Sequence, residues 1–131
     1  MQRLVRARPI LAVMIHVADV GAALDWYQQA LVGATRKRLP PPHDDLVVLD
    51  LGGVMVELVA ADGKVSSGAA GAVVYWHAVE FDAMLQHLLS LGAVLHRGPA
   101  DIEHGMKMCQ VRDPWGNCIG LRGPSASAAG G

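Results

Sequence analysis

The segment YWHAVEFDAML, residues 75–85, restates MIHVADVGAAL, residues 14–24, without a gap. His16 falls on His77, Asp19 on Glu80, Ala22 on Ala83 and Leu24 on Leu85, each pair 61 positions apart. A second match follows in the same order: DLGGVMVEL at 50–58 lies over DPWGNCIGL at 113–121, pairing Asp50 with Asp113, Gly53 with Gly116 and Leu58 with Leu121 at a spacing of 63. Either match alone is weak, but two in one order at nearly one spacing predict two copies of a single structural unit. A chain of 131 residues can bury one domain's core and not two independent ones, so the copies are expected to share a domain.

The order of elements within a copy can be read from hydrophobic period and turn chemistry. Residues 10–17 alternate, with Val13, Ile15 and Val17 on one face and Ala12, Met14 and His16 on the other, as a strand requires. Asp19 is a natural N-cap for a helix over 20–31, whose apolar positions Ala23, Leu24, Tyr27, Ala30 and Leu31 keep helical spacing and whose end is marked by Gly33. A short strand at 35–39 is followed by PPPHDD, a loop because its prolines cannot donate ladder hydrogen bonds. Strands at 46–51 and 54–60 meet at Gly52 and Gly53, residues suited to a tight hairpin turn. The second copy reads the same way: strand 72–79, helix 82–91 ending at Gly92, and strands 94–96, 106–112 and 117–122, the last two joined by DPWGN, a type I turn with a glycine bulge at Gly116. Both copies are therefore βαβββ. The expected layout is an N-terminal arm at 1–9, one domain at 10–122 (module one 10–60, linker 61–71, module two 72–122) and a disordered tail at 123–131, which is small, polar and glycine-rich.

Composition narrows the function classes. Apolar residues make up 52% and charged ones 18%, which favours a domain with surplus apolar surface, hence an apolar cavity or a homodimer interface. The net charge is −1 with no basic residues massed on one predicted face, so no nucleic-acid partner is expected. No segment is long enough to span a bilayer, and the basic start lacks a cleavage pattern, which together imply a cytoplasmic protein without a membrane partner. Cys109 and Cys118 form no CxxC motif and read as reduced thiols, Cys109 facing the helix and Cys118 the other face of its sheet.

One helix covers one face of each module's sheet. The two uncovered faces, set around a pseudo-two-fold axis, are expected to curl toward one another into a concave mixed β-sheet trough, an α+β architecture with a ready ligand site. The opening HVADVGAALDWYQQAL, the paired βαβββ order and the closing DPWGNCIGL resemble the vicinal oxygen chelate superfamily, which contains glyoxalase I, bleomycin-resistance proteins and extradiol dioxygenases; the resemblance runs over residues 10–121. Enzymes of that superfamily hold a divalent metal with His or Glu from the first and last strand of each half. Carried onto this chain, the four positions are Ala12, Glu57, Val73 and Gly120. One carboxylate does not make a site for a divalent cation, so no metal and no other cofactor is expected.

What remains on the predicted inward faces is Met14, His16, Met55, Glu57, Tyr75, His77, Met108 and Gln110, the expected ligand-binding residues. The thioethers suit a pocket that adapts to flat or irregular molecules. Glu57 is costly among apolar atoms unless it finds a partner such as Tyr75, Gln110 or Arg122, or serves as a base or anchor. His16 and His77 lie four positions from the axis on their strands and are not expected to converge on one ion. Two readings follow: a metal-independent small-molecule binding protein, of sequestration or resistance type, taking an apolar or aromatic compound around Glu57; or a glyoxalase-like lyase or isomerase, or a dioxygenase, with Glu57 as base or metal ligand.

Overall fold

The structure is a computed structural model that describes residues 10–42 and 46–125; the arm at 1–9, part of the proline-rich loop and most of the expected tail lie outside the described residues. The chain forms two compact units, residues 1–65 and 66–131, dividing inside the glycine-rich linker.

In the first unit, β1 (Ala12–Val17) leads into α1 (Val20–Ala30), followed by β2 (Thr35–Arg38), β3 (Val47–Leu51) and β4 (Val54–Ala60). Asp19 caps α1 as expected, its Oδ1 accepting from the Ala22 N–H at 3.1 Å. Gly33 closes the helix end at φ 98°, a conformation that costs glycine little. The sheet order is β1-β4-β3-β2, with β1 parallel to β4 and the other pairs antiparallel. Ala23, Leu24, Tyr27 and Ala30 of α1 are buried, as are Val17, Leu49, Val56 and Leu58 of the strands beneath. Each fully buried residue of this size is worth about 1.5–3 kcal/mol of transfer free energy, so this one face supplies most of the unit's cohesion. Arg36 fastens β2 to the helix, pairing with Asp25 and donating to Gln28 Oε1 at 2.6 Å.

The second unit repeats the plan with β5 (Val74–His77), α2 (Phe81–Ser90), β6 (Val94–Ile102), β7 (Met106–Arg112) and β8 (Cys118–Pro124), a single 3₁₀ turn at Glu103–Gly105 preceding β7. Its sheet order, β5-β8-β7-β6, corresponds strand for strand to that of the first. Phe81, Leu85 and Leu88 of α2 are buried, as are Cys109, Val111, Ile119 and Leu121 of β7 and β8. Both units are α+β with βαβββ order.

The two hairpin turns that carry the second repeat differ in how firmly they are held. Asp50 Oδ1 accepts a single bond, from Gly53 N at 3.0 Å. Asp113 is buried, and its carboxylate accepts from Trp115 N and Asn117 N, both at 2.8 Å, and from Asn117 Nδ2 at 3.2 Å. Asn117 in turn receives the Gly68 N–H on Oδ1 at 2.9 Å, tying the linker's second half to this turn. The linker's first half is ordered by Asp62, whose carboxyl is held below the usual range by the N–H groups of Val65 and Lys64.

Two elements run past their expected ends. β6 reaches Ile102 instead of stopping at His96, because its glycine and proline sit at bulges on an edge strand, where a missing N–H costs nothing. β8 continues through Gly123 and Pro124, and Ser125 is buried with its hydroxyl on Asp82 Oδ2 at 2.7 Å, so residues 123–125, expected in the tail, belong to the folded unit. Gly123 is required there: a Cβ would stand 1.9 Å from the carbonyl oxygen of Ala78, whose own N–H donates to the Arg122 carbonyl at 2.8 Å.

Candidate functional site

The helix-free face of the first sheet is built by register. Ala12 lies opposite Met55, Met14 opposite Glu57, and His16 opposite Val59, so these six residues share one face. Met14 is 56% exposed, whereas Glu57, Met55 and His16 are half-buried. Glu57 therefore shares its face with two thioethers, Met14 across the strand pair and Met55 two positions along β4. Within its unit it is engaged by no hydrogen bond or ion pair among the described residues. His16 lies one residue before the end of β1, close enough to help hold the Asp62 carboxyl down.

On the second sheet one row runs across all four strands: Arg97 opposite Gln110, Gln110 opposite Gly120, and Gly120 opposite Tyr75. The row on one side holds Met108, Arg122 and His77, and that on the other holds Arg112 and Cys118. Tyr75 leans across Gly120, whose absent Cβ would lie 2.6 Å from Cδ1 and 2.8 Å from Cγ. The Arg122 guanidinium sits 4.1 Å from the ring centroid, a cation–π contact. Gln110 donates from Nε2 to the Tyr75 hydroxyl at 2.7 Å and accepts the Cys118 thiol on Oε1 at 3.4 Å. Cys109 faces the helix and Cys118 the open side, as alternation predicts. Burial raises the Cys118 thiol, against a smaller opposing pull from Arg112 and Arg97.

All eight expected ligand-binding residues thus belong to strands: Met14, His16, Met55 and Glu57 share the first unit's open face, and Tyr75, His77, Met108 and Gln110 the second's. Tyr75, Gln110 and Arg122, proposed partners of Glu57, are partners of one another. Two arginines on the second face, Arg97 and Arg112, were missing from the expectation, and Arg122 entered it only as a partner for Glu57. Arg112 and Arg122 follow from alternation with Gln110 and Gly120, but Arg97 lies between two register shifts that no periodicity reveals.

The family model described as Glyoxalase/Bleomycin resistance protein/Dioxygenase superfamily matches residues 10–121. The chain belongs to this superfamily.

Solved structures of the superfamily's fold agree. An antibiotic binding protein, TnmS3 from Streptomyces sp. CB03234, is 23% identical with a TM-score of 0.70, covering 95% of this chain and 100% of its own. A glyoxalase/bleomycin resistance protein/dioxygenase family enzyme from Burkholderia phytofirmans PsJN is 19% identical with a TM-score of 0.68, over 86% and 96%. TioX from Micromonospora sp. ML1 is 23% identical with a TM-score of 0.60, over 86% and 96%. No curated protein matches the sequence significantly.

Against the superfamily's metal chemistry, the side chains at the four corresponding positions do not fit. Ala12, Val73 and Gly120 offer a methyl, an isopropyl and a hydrogen, and only Glu57 has donor atoms. The space above Gly120 is taken by the Tyr75 ring. Among the described residues no group of three or more His, Cys, Asp or Glu is placed to hold a metal ion. Among them, too, no helix is long and apolar enough to cross a membrane.

Proposed function

We propose that this protein is a metal-independent small-molecule binder of the superfamily, of the sequestration or resistance type, taking an apolar or aromatic compound around Glu57, and working as a cytoplasmic homodimer. The observation that carries the reading is the replacement of donors at Ala12, Val73 and Gly120, with an aromatic ring lying where a ligand side chain would project from position 120. Met14 and Met55 supply adaptable apolar contacts beside the carboxylate. A fold neighbour described as an antibiotic binding protein is consistent with this use of the scaffold.

The test is native mass spectrometry of the purified protein before and after incubation with zinc, nickel, manganese or iron, which reports metal, retained ligand and subunit number together. The expected spectrum is a dimer without stoichiometric metal; one tightly held ion per chain overturns the reading. A second reading rests on the unengaged Glu57 carboxylate, which has the surroundings of a general base. Glu57→Ala separates the two: a binder loses affinity, whereas a lyase, isomerase or dioxygenase loses turnover with its fold intact.

A further inference from the structure

The open face of the second sheet carries Arg97, Arg112 and Arg122, and no carboxylate shares their rows. Asp101 pairs with Lys107 on the opposite face, and the Asp113 carboxylate is committed to its turn. None of the three arginines is ion-paired among the described residues; Arg122 has only its contact with the Tyr75 ring. Like charges are thus gathered on one face, and the Asp113 carboxylate of the neighbouring turn is the acid whose charge reaches the same Cys118 thiol as those of Arg97 and Arg112.

Their placement has further structure. Arg97 and Tyr75 stand at the two ends of one row, about 4.8 Å per strand step, and Arg112 lies about 7 Å along β7 from Gln110 at its middle. Both Arg97 and Arg112 are close enough to act on the Cys118 thiol. Gln110 spends its amide on Tyr75 and Cys118, so the Tyr75 oxygen accepts while its own proton goes to no described acceptor. The row thus holds a phenol donor at one end and the Arg97 guanidinium fork at the other, with the Arg112 fork in the next row. Such forks receive carboxylates in a planar, two-pronged geometry.

We propose that this face binds the anionic end of the ligand, a carboxylate or a group of like charge and shape, between Arg97, Arg112 and the Tyr75 hydroxyl. The inference rests on the reading of the protein as a small-molecule binder and names the charge of what it binds: an organic anion with an apolar or aromatic body.

The test compares three probes of one shape on the unmodified chain by isothermal titration calorimetry: 2-naphthoate, 2-naphthamide and 2-naphthylmethylammonium. The expected result is an affinity for the carboxylate about ten-fold or more above that for the neutral amide, weakening as salt rises. In an Arg97→Gln/Arg112→Gln double variant with an unchanged melting temperature, the preference should fall to within about three-fold. Equal affinity for carboxylate and amide, or tightest binding of the ammonium, overturns the inference and leaves small-molecule binding standing. A preference that survives the double variant overturns the assignment to this face. Failure of all three probes to bind overturns both.

Discussion

Replacing Gly120 by alanine tests the packing of the Tyr75 ring on the second sheet. The backbone at 120 lies outside the left-handed region, so alanine meets no local strain there. Its Cβ would nevertheless stand 2.6 Å from Cδ1 of Tyr75 and 2.8 Å from both Cγ and Cε1. Because Cγ itself is too close, turning the ring about its own axis gives no relief, and the whole ring must swing about χ1. That swing parts the hydroxyl from Gln110 and the ring from Arg122. The hydrogen bond is worth about 1 kcal/mol and the exposed cation–π contact about 0.5–1 kcal/mol. Alanine returns about 0.4–1 kcal/mol by restricting the unfolded chain. The net loss is about 1 kcal/mol, rising to about 2 kcal/mol if the displaced ring also forces its neighbours. In urea denaturation followed by circular dichroism, the midpoint should fall at constant slope, with a drop in Tm of about 3–8 °C. In a Tyr75→Ala background the same change should be neutral or slightly stabilising. An equal loss in both backgrounds, or none in the parent, refutes the account of the ring's position.

Asp113→Ala removes a buried carboxylate from three donors and should cost about 2–3 kcal/mol, measured by the same denaturation; Asp50→Ala, with one bond to lose, should cost under about 1 kcal/mol. Burial pushes the Cys109 thiol up from an ordinary value near 9 to about 11, so the thiol is the favoured form in the folded state. Its contribution to stability is full below about pH 9 and is lost as pH rises toward 11, which pH-dependent melting checks in comparison with Cys109→Ala. In Ellman's reagent at pH 8, Cys118 should react first and Cys109 only on unfolding.

The plan of each unit was legible because its signals are local. Asp19 and Gly33 bracket α1, and a glycine at the left-handed position marks each hairpin, Gly53 at φ 91° and Gly116 at φ 86°. Strand alternation likewise assigned Glu57, Met14 and Met55 to one face and Cys109 and Cys118 to opposite ones. What escaped depends on residues distant in sequence. Gly98 and Pro99 look like a turn, yet β6 carries them through as bulges because it is paired on one side only; a Cβ at Gly98 would meet the Met108 carbonyl at 2.8 Å. Gly123 and Pro124 have the composition of a tail, and only the approach of Ala78 explains why glycine must stand there. The Tyr75 ring over Gly120 joins residues 45 positions apart, each unremarkable alone.

The ring has a consequence for the ancestry of such chains. A histidine or glutamate at position 120 must displace the Tyr75 ring, and removing Tyr75 first forfeits its bonds to Gln110 and Arg122. Each single step toward a donor at this position lowers stability before a second can restore it, so one side chain and one missing methyl act together as a ratchet.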